Sequence, residues 1–142
     1  MLISTKGRYA LRVMLELAQG EPGECMPLPV IAQRQGISEK YLESILAVLS
    51  KAGLLDAVRG KGGGYRLSRP AKDYTAFEIL SLTEGTLAPV TCLESGQQCE
   101  NAENCRTLPL WQGLDRTIAA YLGSYTLEDL ARMEKPLQHA EL

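Results

Sequence analysis

Three of the chain's four cysteines, Cys92, Cys99 and Cys105, stand within "TCLESGQQCENAENCRTL", residues 91–108. Thiolates are soft, anionic ligands that suit zinc and iron–sulfur clusters, and thiols can also bridge or stay reduced and idle. Zinc and cluster sites alike want about four ligands. Disulfides are the weakest of these readings. The N-terminus "MLISTKGRYALRVMLELAQG" reads as cytoplasmic, where thiols stay reduced. Lys6, Arg8 and Arg12 run into its apolar part, and no small-residue cleavage site follows. No apolar run reaches the roughly 20 residues of a membrane span. Cys25, in "EPGECMPLP", lies away from the trio and is read as incidental.

A second chemistry lies in "VRGKGGGYRL". Arg59 and Lys61 stand among glycines with little other side-chain bulk. A nucleotide-binding loop would need Lys-Ser/Thr and a helix after its glycines. "YRLSR" follows instead, and it reads as a strand. An arginine at such a hairpin tip suits a narrow minor groove, where the potential is most negative. Catalysis has little to work with: the single histidine, His139, lies in the tail, no Ser/His/Asp set is available, and no paired acids stand out. The chain is expected not to be an enzyme.

These groups must be positioned by the elements around them. Tyr9, Ala10, Val13, Met14, Leu17 and Ala18 recur at helical spacing and predict a helix from about Lys6 to Ala18. "PVIAQRQG" predicts a short second helix, with Pro29 in its first turn and Gly36 as its stop. Ser38 is a good N-cap for a third, whose buried stripe is Leu42, Ile45, Leu46 and Leu49. Gly53 closes it. "LLDAVRG" and "GYRLSR" predict a hairpin, with Leu55 and Ala57 half-buried against Asp56, and Tyr65 and Leu67 against Arg66 and Ser68. Thr75 and Glu78 predict a capping box for "AFEILSLTEG", and Thr126 and Asp129 another for "LEDLARM". Between them, "LPLWQGLDRTIAAYLGSY" carries Leu110, Trp111, Leu114, Ile118 and Tyr121 or Leu122 on one stripe. "KPLQHAEL" reads as a frayed tail. The expected fold is mainly α with a small β-hairpin wing.

Two short helices joined by a tight turn and followed by a glycine-rich hairpin make a winged helix-turn-helix. The helix after Ser38 would enter a major groove. Its outward face is Glu39, Lys40, Glu43 and Ser44, with Tyr41 beside them. Glu43 can accept from a cytosine amino group, and Lys40 and Tyr41 can reach phosphates. Charge agrees: residues 1–72 carry eleven Lys and Arg against six acids, whereas residues 73–142 carry four against eleven, within a net charge of −2. A basic half joined to an acidic half fits a nucleic-acid reader with a separate sensing or pairing segment.

"STKGRYALRVMLELA", "RQGISEKYLESILAVLSKAGLL", "VRGKGGGYRLSRP" and the later "EG…C…C…C…W" resemble the Rrf2 family of bacterial regulators, from Met1 to about Met133. The resemblance implies a homodimeric winged-helix transcriptional regulator, most often a repressor, reading a palindromic site on double-stranded DNA. It implies DNA contacts from Tyr41, Glu43 and Arg59, and backbone contacts from Lys6 and Tyr9. Residues 1–85 would be the DNA-binding domain and 86–107 a cysteine sensor loop. Residues 108–142 would hold the dimerisation helix and a C-terminal segment. Several members hold an iron–sulfur cluster through three cysteines that match Cys92, Cys99 and Cys105. Whether it has two or four irons is not decided by the resemblance. The fourth ligand is also open. One branch uses a histidine where this chain has Leu108, and another uses a carboxylate where it has Arg8. Glu100, Glu103 and Glu16 remain as candidates, or an exogenous thiol or water; zinc meets the same shortage. A cluster-free branch is controlled by a partner protein instead.

Overall fold

The computed structural model describes residues 2–94 and 99–133. Six α-helices and one two-stranded hairpin follow one another along these residues: α1 Thr5–Ala18, α2 Leu28–Gln35, α3 Glu39–Lys51, β1 Leu55–Val58, β2 Gly64–Leu67, α4 Ala76–Glu84, α5 Leu108–Gly123 and α6 Leu127–Arg132. The expected order is realised. The tail beyond Met133, including His139, lies outside the described residues, as does Met1.

Apolar periodicity accounts for the core. Ala10, Val13, Met14 and Leu17 of α1, Ile31 and Ala32 of α2 and Leu42, Ile45, Leu46 and Leu49 of α3 close on one cluster. Ile79 of α4 and Leu127 of α6 complete it, so the C-terminal α6 returns to the core beneath α1. Burying a Leu or Ile contributes about 1.5–3 kcal/mol each, which is what orients these short helices. Caps fix their ends. Ser4 accepts from the Gly7 amide, Ser38 from Tyr41 and Thr126 from Asp129. Asp129 also accepts from the Thr126 amide at 2.9 Å, closing a full capping box. The box expected at Thr75 is only half formed. Thr75 accepts from the Glu78 amide, but the Glu78 carboxylate turns away to pair with Arg69 at 2.5 Å. A guanidinium outcompetes a backbone amide for that carboxylate because both partners are charged.

The wing pairs Leu55 with Leu67 and Val58 with Gly64 in antiparallel register. The alternation expected of it is absent. Leu55 is buried but Ala57 is exposed, and all four β2 residues are half-buried. β2 lies between β1 and Met26 and packs Tyr65 and Leu67 on the core, whereas β1 is the outer strand and covers apolar surface only at Leu55. Two contacts hold the hairpin. Met26 exchanges both backbone bonds with Tyr65, each 2.9 Å, adding a third short rung. Gly64 has φ +142°, and a Cβ there would collide with the Met26 carbonyl, so glycine is required by close approach. Tyr74, fully buried, donates its hydroxyl to the Leu54 carbonyl at 2.7 Å and accepts from the Ser68 and Arg69 amides at 3.0 Å each.

Candidate nucleic-acid interface and cysteine loop

Helix α3 presents the face expected of it. Leu42, Ile45, Leu46 and Leu49 are buried inward, leaving Ser38, Glu39, Lys40, Glu43 and Ser44 exposed and Tyr41 half-buried. Ser44 donates its hydroxyl to the Tyr41 carbonyl at 2.6 Å, so only its acceptor side is left for a partner. Tyr41 meets Tyr9 of α1 edge to face, with ring centroids 6.0 Å apart and planes at 86°. That contact places the half-buried Lys6 and Tyr9 on the helix beside the first turn of α3. Arg59 and Lys61 are exposed at the wing tip, which turns through the positive-φ glycines Gly60 and Gly62. A Cβ at Gly63 would strike the Val58 carbonyl, so the tip tolerates no bulk there. Basic groups of α1, α3 and the wing thus stand on elements that pack against one another.

Ion pairs sharpen that picture. Among the described residues they join Arg34 to Glu16, Arg66 to Asp56, Arg69 to Glu78 and Arg132 to Glu128. Lys6, Lys40, Arg59 and Lys61 take part in none of them, so each keeps its charge for an external anion. Sequence reasoning missed Tyr74, which ties the end of β2 to the end of α3, and the Met26–Tyr65 rung, which ties β2 to the segment between α1 and α2. Tyr74 precedes the Thr75 cap, a position where a large apolar residue often packs back onto its helix. That was the available signal.

The cysteine segment leaves α4 through Gly85, whose φ of +75° ends the helix. Cys92 lies in a short 3-10 turn, Thr91–Leu93, and Cys99 is exposed. Both line an open cleft of about 390 Å³ with Leu93, Glu100, Glu103 and Leu108. Cys105 is not part of that lining. Its Sγ lies 3.4 Å from the Thr107 hydroxyl, and bonding from that hydroxyl and from the Thr107 backbone lowers its thiol pKa. Among the described residues no three Cys, His, Asp or Glu side chains converge as a metal site. The donor chemistry nevertheless fits a cluster: two thiols and two carboxylates share the cleft, and the third thiol ends the same loop. Holding one requires the loop to carry Cys105 into the cleft. Leu108, at the start of α5, offers no donor there. Glu16 lies elsewhere in this chain. It binds Arg34 at 2.9 Å and Gln35 at 3.3 Å on the α1–α2 side and does not line the cleft.

Helix α5 packs chiefly on α4 and buries none of its residues. Of its expected stripe, Leu110 is 63% exposed, Leu114 41% and Tyr121 61%, while Trp111, Ile118 and Leu122 are half-buried. No helix among the described residues is long and apolar enough to cross a membrane.

Comparison with known proteins agrees over nearly the whole chain. The family model described as Rrf2, iron-dependent transcriptional regulator, matches residues 3–133. The HTH-type transcriptional regulator IscR of Xenorhabdus nematophila is 37% identical over 141 residues, 99% of this chain and 85% of that protein. The structure of CymR, the global cysteine regulator of B. subtilis, superposes with a TM-score of 0.76 at 39% identity, over 92% of this chain and 96% of that one. T. potens IscR superposes with a TM-score of 0.72 at 34% identity, over 96% and 94%. These relatives are transcriptional regulators, and no enzyme family is indicated.

Proposed function

The chain belongs to the Rrf2 family of winged-helix transcriptional regulators, and from that premise we propose that it is a homodimeric repressor whose DNA affinity is set by an iron–sulfur cluster in the loop of Cys92, Cys99 and Cys105. The carrying observation is the placement of that loop. It joins the α4 end of the winged helix to the start of the uncovered helix α5. DNA recognition falls to Ser38, Lys40, Tyr41, Glu43 and Ser44 on α3, to Arg59 and Lys61 on the wing, and to Lys6 and Tyr9 on α1. An exposed stripe of Leu110, Leu114 and Tyr121 supports pairing of α5 with its twin, because a helix of 16 residues with nothing buried gains little stability alone. A twofold dimer places two α3 helices on a palindromic operator in double-stranded DNA.

Three thiolates would hold the cluster, and Glu100 or Glu103 in the same cleft is the nearest source of a fourth donor. When bound, the cluster would supply a labile, redox-active group. The protein's own contribution is to keep it at the surface, where a small oxidant or radical reaches it. Anaerobic purification with an absorption spectrum and iron and sulfide assays tests this. Iron and sulfide that disappear in Cys→Ala variants at positions 92, 99 and 105 support the reading, and colourless protein without iron refutes it.

Leu108, and the fold shared with the cysteine regulator CymR, favour one second reading. In it the same DNA-binding dimer lacks a cluster and is controlled by a partner protein. Iron-free protein that co-purifies stoichiometrically with one host protein supports it.

A further inference from the structure

One cation at the head of the molecule is held in a way the DNA-contact set above does not use. Arg12 of α1 is exposed, yet its side chain is ordered from three directions. Its Nε donates to the Gln35 side-chain oxygen at 2.8 Å, its Nη2 reaches the Gln35 carbonyl at 3.5 Å, and its guanidinium carbon lies 4.7 Å from the centre of the Tyr9 ring. Tyr9 in turn abuts Tyr41 in the first turn of α3. Gln35 is the last residue of α2, immediately before the turn through Gly36 that leads to the Ser38 cap. The guanidinium therefore sits at the helix-turn-helix corner, beside the helix expected to enter the groove.

Every one of these partners is neutral. Glu16, one turn further along α1, is taken by Arg34 at 2.9 Å and by the Gln35 amide at 3.3 Å. Among the described residues no ion pair offsets the Arg12 charge, and none of its contacts there engages Nη1. An ordered, uncompensated guanidinium with an unengaged amino group is built for an oxyanion, and it loses little rotamer freedom on binding one. From this geometry we infer that Arg12 is a DNA-phosphate ligand, pre-oriented by Gln35 and Tyr9. The inference rests on the DNA-binding reading and adds a residue to it.

Salt titration separates contact from scaffold. Dissociation constants are measured for the wild type, Arg12→Gln, Arg12→Lys and Gln35→Ala across a range of KCl concentrations. Two duplexes serve as probes, one of random sequence and one from the promoter of the chain's own operon. Each phosphate contact contributes about 0.9 to the slope of log affinity against log salt, which is about eightfold in affinity at 0.1 M salt. Arg12→Gln should lose that much per bound protomer on both duplexes alike. Arg12→Lys keeps the charge and should keep the slope. Gln35→Ala removes the clamp without removing the charge, so it too should keep the slope, even if its fold is looser. An unchanged slope in Arg12→Gln, or a loss confined to the promoter duplex, overturns the inference and leaves Arg12 a scaffold residue. Wild-type protein that binds neither duplex overturns the DNA-binding reading itself.

Discussion

Replacing Tyr74 by phenylalanine removes one oxygen from a fully buried ring and leaves the packing intact, including the Arg69 guanidinium 4.3 Å above it. The oxygen serves three backbone groups: it donates to the Leu54 carbonyl and accepts from the Ser68 and Arg69 amides. The Leu54 carbonyl keeps a longer bond from the Ser68 amide at 3.3 Å, and the half-buried Ser68 and Arg69 can recruit water. The full penalty for an orphaned buried group therefore does not apply three times over. At about 1 kcal/mol net per bond the loss is roughly 2–3 kcal/mol. For a chain of this size that lowers the melting temperature by about 6–10 °C. Urea and thermal unfolding followed by circular dichroism measure it. Leu54 follows α3 and Ser68 follows β2, so the hydroxyl also ties the wing to the recognition helix. DNA affinity should fall with an unchanged salt slope, because no cation is lost. A destabilisation under about 0.5 kcal/mol would refute the reasoning, since the three bonds would then be replaceable by water.

Gly64→Ala places a Cβ against the Met26 carbonyl at φ +142° and should cost at least about 2 kcal/mol in urea unfolding, with Gly62→Ala milder because its Cβ meets nothing. Leu114→Glu puts a charge in the exposed α5 stripe, and sedimentation should find the wild type dimeric and this variant monomeric. Bonds from the Thr126 backbone and side chain hold the Asp129 carboxyl below the ordinary carboxylate range. Its folded pKa is thus depressed, so its stabilisation is complete above that range and fades as pH falls through the lowered value. Asp129→Asn should therefore melt lower than wild type at neutral pH and lose the difference in acid, and a difference that grows on acidification would contradict the assignment.

Much of this molecule was legible before any coordinates, because its helices are stabilised by stripes. Leu42, Ile45, Leu46 and Leu49 recur at 3.6-residue spacing, and that spacing alone faces them inward. Ser38 and Thr126 were legible as caps because their chemistry is local. The wing was legible as a hairpin through its glycines but not as a burial pattern, since β2 is held between β1 and Met26 while β1 is the outer strand. The Met26–Tyr65 rung is a single pair of bonds across 39 positions, and a lone rung leaves no period to read. The same holds for Arg12 and Gln35. Both could be placed on helices, but which arginine finds a neutral partner and which finds Glu16 depends on how α1 crosses α2. In the cysteine loop, sequence spacing brought three thiols near one another, whereas the structure sets Cys105 apart on its Thr107 bond.

The route from that loop to the reading head is short and physical. Cys92 follows Glu84 by eight positions, and Glu84, the last residue of α4, accepts from the Ser4 amide at 3.1 Å and from the Ser4 hydroxyl at 2.6 Å. Ser4 is the N-cap of α1, the helix that carries Lys6, Tyr9 and Arg12. The fit is close, since a Cβ at Gly7 would strike the Glu84 carboxylate. A carboxylate gripping a helix cap through two donors does not slide; it holds or it lets go. If this contact carries the signal, filling the loop changes DNA affinity to the extent that it favours one of those two arrangements over the other. Glu84 is therefore the group to test, because its carboxylate ties the end of α4 to the cap of the helix that carries Lys6, Tyr9 and Arg12.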